Sequence, residues 1–337
     1  MHWKVSIGVL LGAGLAIAAP EPQDTLRFES SVFMISVPVA VTDGDDNFIK
    51  DLEASDFTLY EDGVEQEISL FARGLEESWV GMEPALKEAS SGNQVMGLIL
   101  DASGSMEDQM DLVHSAVLKF LNNIPRTRHL VVLDFDENMR ISEYSSDDQR
   151  QIAERIYEIE AEGWTALYDA VATVLERVYY DDGRKTLVVF SDGVDSRSTL
   201  SMGESFDIVR ASDVTIHTIQ FGGNRSNPLR DFEQGRFLRT ISKLTGGSYA
   251  VASSLEDLDE FYDRILDELF SQYMLGYVSA NTAMDGEYRR IEVEVKRDDI
   301  RDIEVRAREG YTAPLLEPLP SEEEDEVEAE VSRSKPE

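Results

Sequence analysis

The stretch VMGLILDASGS, Val95–Ser105, holds no polar residue until it reaches Asp101, and then passes through Ser103 and Ser105. A run this apolar, without alternation, is expected of a strand buried on both faces, as in a parallel sheet covered by helices. The polar end of the run is less determinate. Asp101, Ser103 and Ser105 suit a helix cap, a nucleophile or an oxygen-donor metal loop.

Outward from this stretch, strand-like and helix-like segments alternate. A helical period covers Asp108–Ile124, and strands are predicted at HLVVLDFD (from His129) and MRISEYS (from Met139). Helices are predicted at Asp147–Glu160 and Ala166–Tyr180, and a strand at KTLVVFSDG (from Lys185). A helix through Phe206–Ala211, the strand VTIHTIQFGG, a helix over Leu229–Leu244, the strand SYAVA and a helix over Leu255–Tyr273 complete the series. Such alternation predicts an α/β region with a mostly parallel central sheet and helices on both faces.

The regions on either side read differently. FMISVPVAVTD, FTLYEDG and QEISLFARG before it, and YMLGYVSA, YRRIEVEVKR and DIEVRAREGYTA after it, alternate with period two around Asp-Gly turns. Neither flank has enough strands to stand alone. The expectation is therefore one β-sandwich built from both flanks, with the α/β region inserted. The boundaries are 1–18 for a signal peptide, 19–75 for the first β segment, 76–93 for a linker, 94–273 for the α/β region, 274–313 for the second β segment and 314–337 for an acidic disordered tail.

The signal peptide is read from Lys4, the apolar Val5–Ala16 and the small residues Ala16-Ile17-Ala18. That run is too short for a spanning helix, and no later one is long enough. The 337-residue chain contains no cysteine, which excludes disulfides and thiolate metal sites. An exported bacterial protein of the periplasm, cell surface or medium is expected. With 67 acidic and 31 basic residues, the formal charge of −36 disfavours nucleic acid and anionic lipid.

In an open α/β sheet, ligands gather beyond the carboxyl ends of the strands. Three polar clusters are expected there: Asp101-Ala102-Ser103-Gly104-Ser105, Thr165 in GWTALYDA, and Asp192 in VVFSDGVDS. Their donors are all oxygen, which suits a hard cation, and the small number of carboxylates favours Mg²⁺ over a calcium cage. A serine nucleophile needs a base, and His114, His129 and His217 fall in or at helices and strands rather than exposed loops. Asp134 and Asp136 form a DxD at a strand end, which keeps open a Mg²⁺-dependent phosphohydrolase of the haloacid dehalogenase type. A structural surface protein with a purely stabilising metal is a further alternative.

The DxSxS run with Thr165 and Asp192 resembles the metal-ion-dependent adhesion site of von Willebrand factor A domains. The flanking segments extend the resemblance to exported bacterial proteins related to that family. It implies a non-enzymatic interaction or adhesion module. Ser103, Ser105 and Thr165 would hold Mg²⁺, or Ca²⁺ or Mn²⁺, through their hydroxyls, with Asp101 and Asp192 binding directly or through water. The open coordination position would take an Asp or Glu carboxylate from a partner protein. Trp164 departs from the family, which often has glycine before the threonine; it is either an anchor at the partner-binding rim or packed on the neighbouring loop.

Overall fold

The computed structural model describes residues 34–74, 94–123, 127, 129–145, 148–222, 232–297 and 299–315. The expected signal peptide, linker and nearly all of the acidic tail lie outside these residues.

Six strands form the central sheet: β5 (Gln94–Asp101), β6 (His129–Phe135), β7 (Met139–Tyr144), β8 (Arg184–Ser191), β9 (Thr215–Phe221) and β10 (Tyr249–Ala252). Their order is β10-β9-β8-β5-β6-β7, parallel throughout except for β7, which returns antiparallel to β6. Every residue of β5 is buried, as its unbroken apolar run requires. Met96, Leu98 and Leu100 face one layer, built from α1 (Met110–Asn123), α2 (Gln149–Tyr157) and α6 (Leu255–Ser271). Val95 and Ile99 face the other, built from α3 (Leu167–Val178), α4 (Met202–Ala211) and α5 (Arg236–Thr245). Gly97 lets α3 approach, since a Cβ there would sit 2.6 Å from Leu187 Cδ1 and 3.0 Å from Val174 Cγ1.

Several helix boundaries differ from the periodicity. The helix expected from Asp108 begins as a 3₁₀ turn, Gly104–Gln109, and becomes α-helical at Met110. Helix α4 starts four residues before Phe206, because Ser201 and Glu204 form a reciprocal capping box. Within the expected Leu229–Leu244 helix, residues 232–234 are helical, Gly235 interrupts the run, and α5 continues from Arg236 to end on Gly246 in the left-handed region. Helix α6 stops at Ser271, and Tyr273 already opens the next strand.

The flanks form two four-stranded sheets: β13-β1-β11-β4 and β14-β12-β2-β3. Strands from before the insert are β1 (Met34–Thr42), β2 (Phe57–Glu61), β3 (Val64–Gln66) and β4 (Ile68–Arg73). Those from after it are β11 (Tyr273–Val278), β12 (Tyr288–Val295), β13 (Glu304–Ala307) and β14 (Gly310–Thr312). Both sheets mix the two flanks, for β1 pairs with β11 and β13, and β12 with β2. Val37, Val39, Leu59, Tyr273, Leu275 and Ile291 share a single apolar core between the sheets. Asp62 and Gly63, both at positive φ, make the tight β2–β3 hairpin.

Polar contacts also join the flanks. Glu61 on β2 accepts from Tyr277 at 2.7 Å, Tyr311 at 2.9 Å and Ser279 at 2.5 Å. Arg289 on β12 lies 3.7 Å from the same carboxylate, with both side chains almost fully buried. Removing one partner of a buried pair leaves the other charge uncompensated. Arg289→Met is therefore expected to cost about 3–5 kcal/mol in urea unfolding, with Glu61→Gln in the same chain restoring part of it.

Helix α6 meets β11 with only Gln272 between them. Near its end, Glu268 is fully buried, accepts from Ser248 Oγ at 2.8 Å and pairs with Arg306 of β13. Beside it, His217 Nδ1 accepts the Ser248 N–H at 3.1 Å, and burial holds its pKa below the ordinary 6.5. The folded chain thus leaves His217 neutral where the unfolded chain would protonate it. This contribution to stability is lost as pH falls below about 6.5, with a slope of at most about 1.4 kcal/mol per pH unit. Glu268, whose pKa is lowered despite its burial, acts only below the ordinary 4.5. The difference between wild-type and His217→Gln stability from pH 7 to 5 should show the histidine contribution alone.

Candidate metal centre

The parallel register sets Leu100 of β5 opposite Phe190 of β8, so Asp101 and Ser191 emerge together at the carboxyl edge of the sheet. Asp101 is fully buried. Its Oδ1 accepts the Ser103 N–H at 3.0 Å, and its Oδ2 accepts from Ser191 Oγ at 2.5 Å. Burial nevertheless pushes its pKa up to about 6; the Ser103 and Ser191 hydrogen bonds oppose the rise, and the neighbouring charge of Asp192 adds to it. No ion pair of Asp101 or Asp192 is present among the described residues. Asp101 thus feels the charge of Asp192 with no basic partner for either among the described residues.

Ser103 occupies the position before the 3₁₀ turn, but its hydroxyl makes no capping bond. It lies instead 3.1 Å from the Ser105 hydroxyl. Ser103 is buried and Ser105 exposed, which gives the pair one protected and one solvent-facing donor. The Thr165 loop is tied to the same turn. Gly104 N–H donates to Gly163 O at 3.1 Å, and Glu162 N–H to Ala102 O at 2.9 Å. Gly163 is at φ +76°, a conformation favouring glycine, and it brings buried Thr165 round to the start of α3. The Thr165 carbonyl accepts from Ser196 and Arg197 N–H, which joins this loop to the one after Asp192. Asp192 itself is half-buried, with its Oδ1 on the Val194 N–H at 2.9 Å.

Ser191 is the member of this group that the sequence pattern does not single out. The signal is present, since it precedes Asp192 and ends the strand that must neighbour β5. Asp195, three residues after Asp192, is a positioning group. It accepts from Ser198 Oγ at 2.5 Å and from the Tyr168 N–H at 3.1 Å, clamping the loop onto the first turn of α3. Trp164 has 63 % of its surface exposed, so most of its ring is in solvent rather than packed on a neighbour.

The rival constellations are otherwise engaged. Asp134 is held by Arg140 and Arg155, and Asp136 by Arg140 at 3.0 Å and by the Asn138 amide. His129 binds Asp181 and Glu143 at the start of β6. None of His114, His129 and His217 is hydrogen-bonded to Ser103 or Ser105. Among the described residues no three His, Cys, Asp or Glu side chains gather into a metal cluster. Asp101, Asp192 and the hydroxyls form a different kind of donor set, poor in charge and rich in neutral oxygen, which fits a hard divalent cation.

Residues 96–194 match the family model of the von Willebrand factor type A domain. No curated protein matches the chain in sequence. Solved structures with similar folds include a von Willebrand factor type A protein from Catenulispora acidiphila. It is 12% identical, covers 78% of this chain and 74% of its own, and has a TM-score of 0.45. The conserved hypothetical protein BatB from Bacteroides thetaiotaomicron is 12% identical over 52% of this chain and 98% of its own, at 0.41. Proximal thread matrix protein 1 from the mussel byssus, in a structure described as having a zinc-occupied MIDAS motif, is 18% identical at 0.42. It aligns over 56% of this chain, which spans 47% of that protein's length.

Ser191→Ala would strip a donor from Asp101 and an acceptor from the Gly193 N–H, which now bonds Ser191 Oγ at 3.0 Å. The expected cost is about 1–3 kcal/mol, read as a lower urea midpoint at unchanged m.

Proposed function

We propose that this chain, which carries a von Willebrand factor type A domain, is an exported, non-enzymatic protein-binding module whose metal edge takes a carboxylate from a partner protein. The observation carrying this reading is the buried Asp101 carboxylate, which adjoins Asp192 and lacks any basic partner among the described residues. Burying such a charge without compensation is costly, and a divalent cation would supply what the protein does not.

Asp101, Ser103, Ser105, Thr165 and Asp192 would hold Mg²⁺, with Ca²⁺ or Mn²⁺ as substitutes. When bound, the ion supplies a centre of positive charge and a ligand position open to an incoming carboxylate. The protein's own part is positional. Ser191 and the Ser103 N–H orient Asp101, and the Gly104–Gly163 and Thr165–Ser196 backbone bonds hold the loops together. Exposed Trp164, immediately before Thr165, is suited to serve as an apolar anchor at the rim. The overall charge of −36 repels acidic partners, so recognition of a carboxylate would depend on the metal. The amino-terminal composition supports export.

A phosphohydrolase using Asp134 and Asp136 has less support, because arginines already occupy those carboxylates.

Magnesium titration of the wild-type chain is expected to give saturable binding and a higher melting temperature than in EDTA. Asp101→Asn should weaken Mg²⁺ binding by about 100-fold without lowering the melting temperature in EDTA. Partner capture from the native organism should disappear in EDTA and with Asp101→Asn. A melting shift with Mg²⁺ but metal-independent capture would refute the adhesion reading and leave a stabilising metal.

A further inference from the structure

At the opposite edge of the central sheet, where β8 and β9 begin, a cavity of about 290 Å³ opens between the α/β region and the sandwich. Its lining joins three cationic side chains from distant parts of the chain: Arg184, Lys185 and Arg308. Lys185 is satisfied, with Nζ 3.0 Å from both Asp213 Oδ1 and Tyr179 O. Arg308 spends its donors on backbone carbonyls, Nε on Gly310 O at 2.8 Å and Nη2 on Ser212 O at 2.9 Å. Arg184 is different. Its Nη1 is buried with no hydrogen-bond partner, and its guanidinium forms no ion pair among the described residues. Burial alone pushes its pKa down to about 10.

Three cations therefore face the cavity against one carboxylate, Asp213, which is itself half in solvent. This is a reversal of sign in a chain of net charge −36. Arg184 is half-buried, and a guanidinium whose Nη1 is buried without a partner is an unfavourable arrangement; its planar fork matches the paired oxygens of a carboxylate or phosphate. Hydroxyls of Ser36, Thr186 and Thr215 also line the space, and Met34, Pro38 and Met274 provide an apolar wall. The volume lies at the small end for ligand sites, and the wall suits a short carbon skeleton.

We propose that this cavity binds a small organic oxyanion, a carboxylate or a phosphate ester, through the Arg184 guanidinium. The site lies at the other end of the sheet from Asp101 and does not depend on metal binding there. Because β1, β11 and β14 form one wall and β8 and β9 the other, an occupant would also brace the sandwich against the insert.

The test titrates the full chain, without added divalent cation, with butyrate or with inorganic phosphate against chloride at equal ionic strength. Isothermal calorimetry and melting temperature are the readouts. Saturable binding of either probe, with a rise in melting temperature over chloride, is expected, and the preferred probe identifies the ligand class. Arg184→Met should weaken that binding by at least about tenfold, and in chloride should melt no lower than wild type. Should the methionine variant not fold, Arg184→Lys keeps the charge but loses the fork, and should bind with reduced affinity. The proposal is overturned if neither probe binds up to about 10 mM, or if the folded Arg184 variant binds as tightly as wild type.

Discussion

A carboxylate buried at the end of a strand that is itself buried along its whole length is the constraint around which the metal edge is organised. Asp101 cannot reach water, so each of its oxygens must be met by a group brought from elsewhere. The Ser103 N–H comes from the turn immediately after it, and the Ser191 hydroxyl from the adjacent strand. Both are neutral donors, and neither cancels the charge. Asp192 makes the deficit larger. Elsewhere the chain answers comparable burial with arginine, as at Asp134 and Glu61. Asp101 differs from these buried acids in having no basic side chain paired with it among the described residues.

Much of this is legible in the sequence, for a definite reason. Strands covered on both faces must be apolar at consecutive positions, so VMGLIL stands out against any amphipathic segment, and the order of strands and helices can be read outward from it. The DxSxS spacing marks Asp101, Ser103 and Ser105, a loop ahead of a helix marks Thr165, and a strand end marks Asp192. Ser191 is harder to see, because its role depends on register between β5 and β8 rather than on its own neighbours. The helix starts are displaced where caps override periodicity, as at Ser201 and Glu204. The basic cavity is not legible at all. Arg184 reads as a polar residue opening a strand, Arg308 as part of an alternating edge, and only the fold brings them to one space.

The sandwich can be inferred from strand counting, but its consequences cannot. Since β1 and β2 pair with β11 and β12, the chain leaves the sandwich, completes the α/β insert and must return at a fixed place. The return is made by α6, which passes into β11 across a single residue. Tyr273, the first residue of that strand, accepts from Leu52 N–H at 3.0 Å and donates to Ile49 O at 2.8 Å, both in the first flank. The helix end is anchored on the insert side as well, through Glu268, Ser248 and the Arg306 of β13. Displacing α6 would therefore disturb the buried charge of Glu268 and the start of β11 together.

These features give the central sheet two ends of opposite electrostatic character. The carboxyl edge gathers uncompensated acids beside hydroxyls, while the amino edge gathers an uncompensated guanidinium in a cavity roofed by the sandwich. Neither arrangement is explained by surface charge, which is acidic throughout the chain's composition. Nor does either serve stability on its own, since a buried unpaired charge opposes folding whatever its sign. The same strands, β5 with its neighbours, connect the two edges through a close-packed interior that transmits small shifts rather than absorbing them. β8 runs from one edge to the other, with Arg184 at its start in the cavity and Ser191 at its end on Asp101, so one strand carries a residue of each setting.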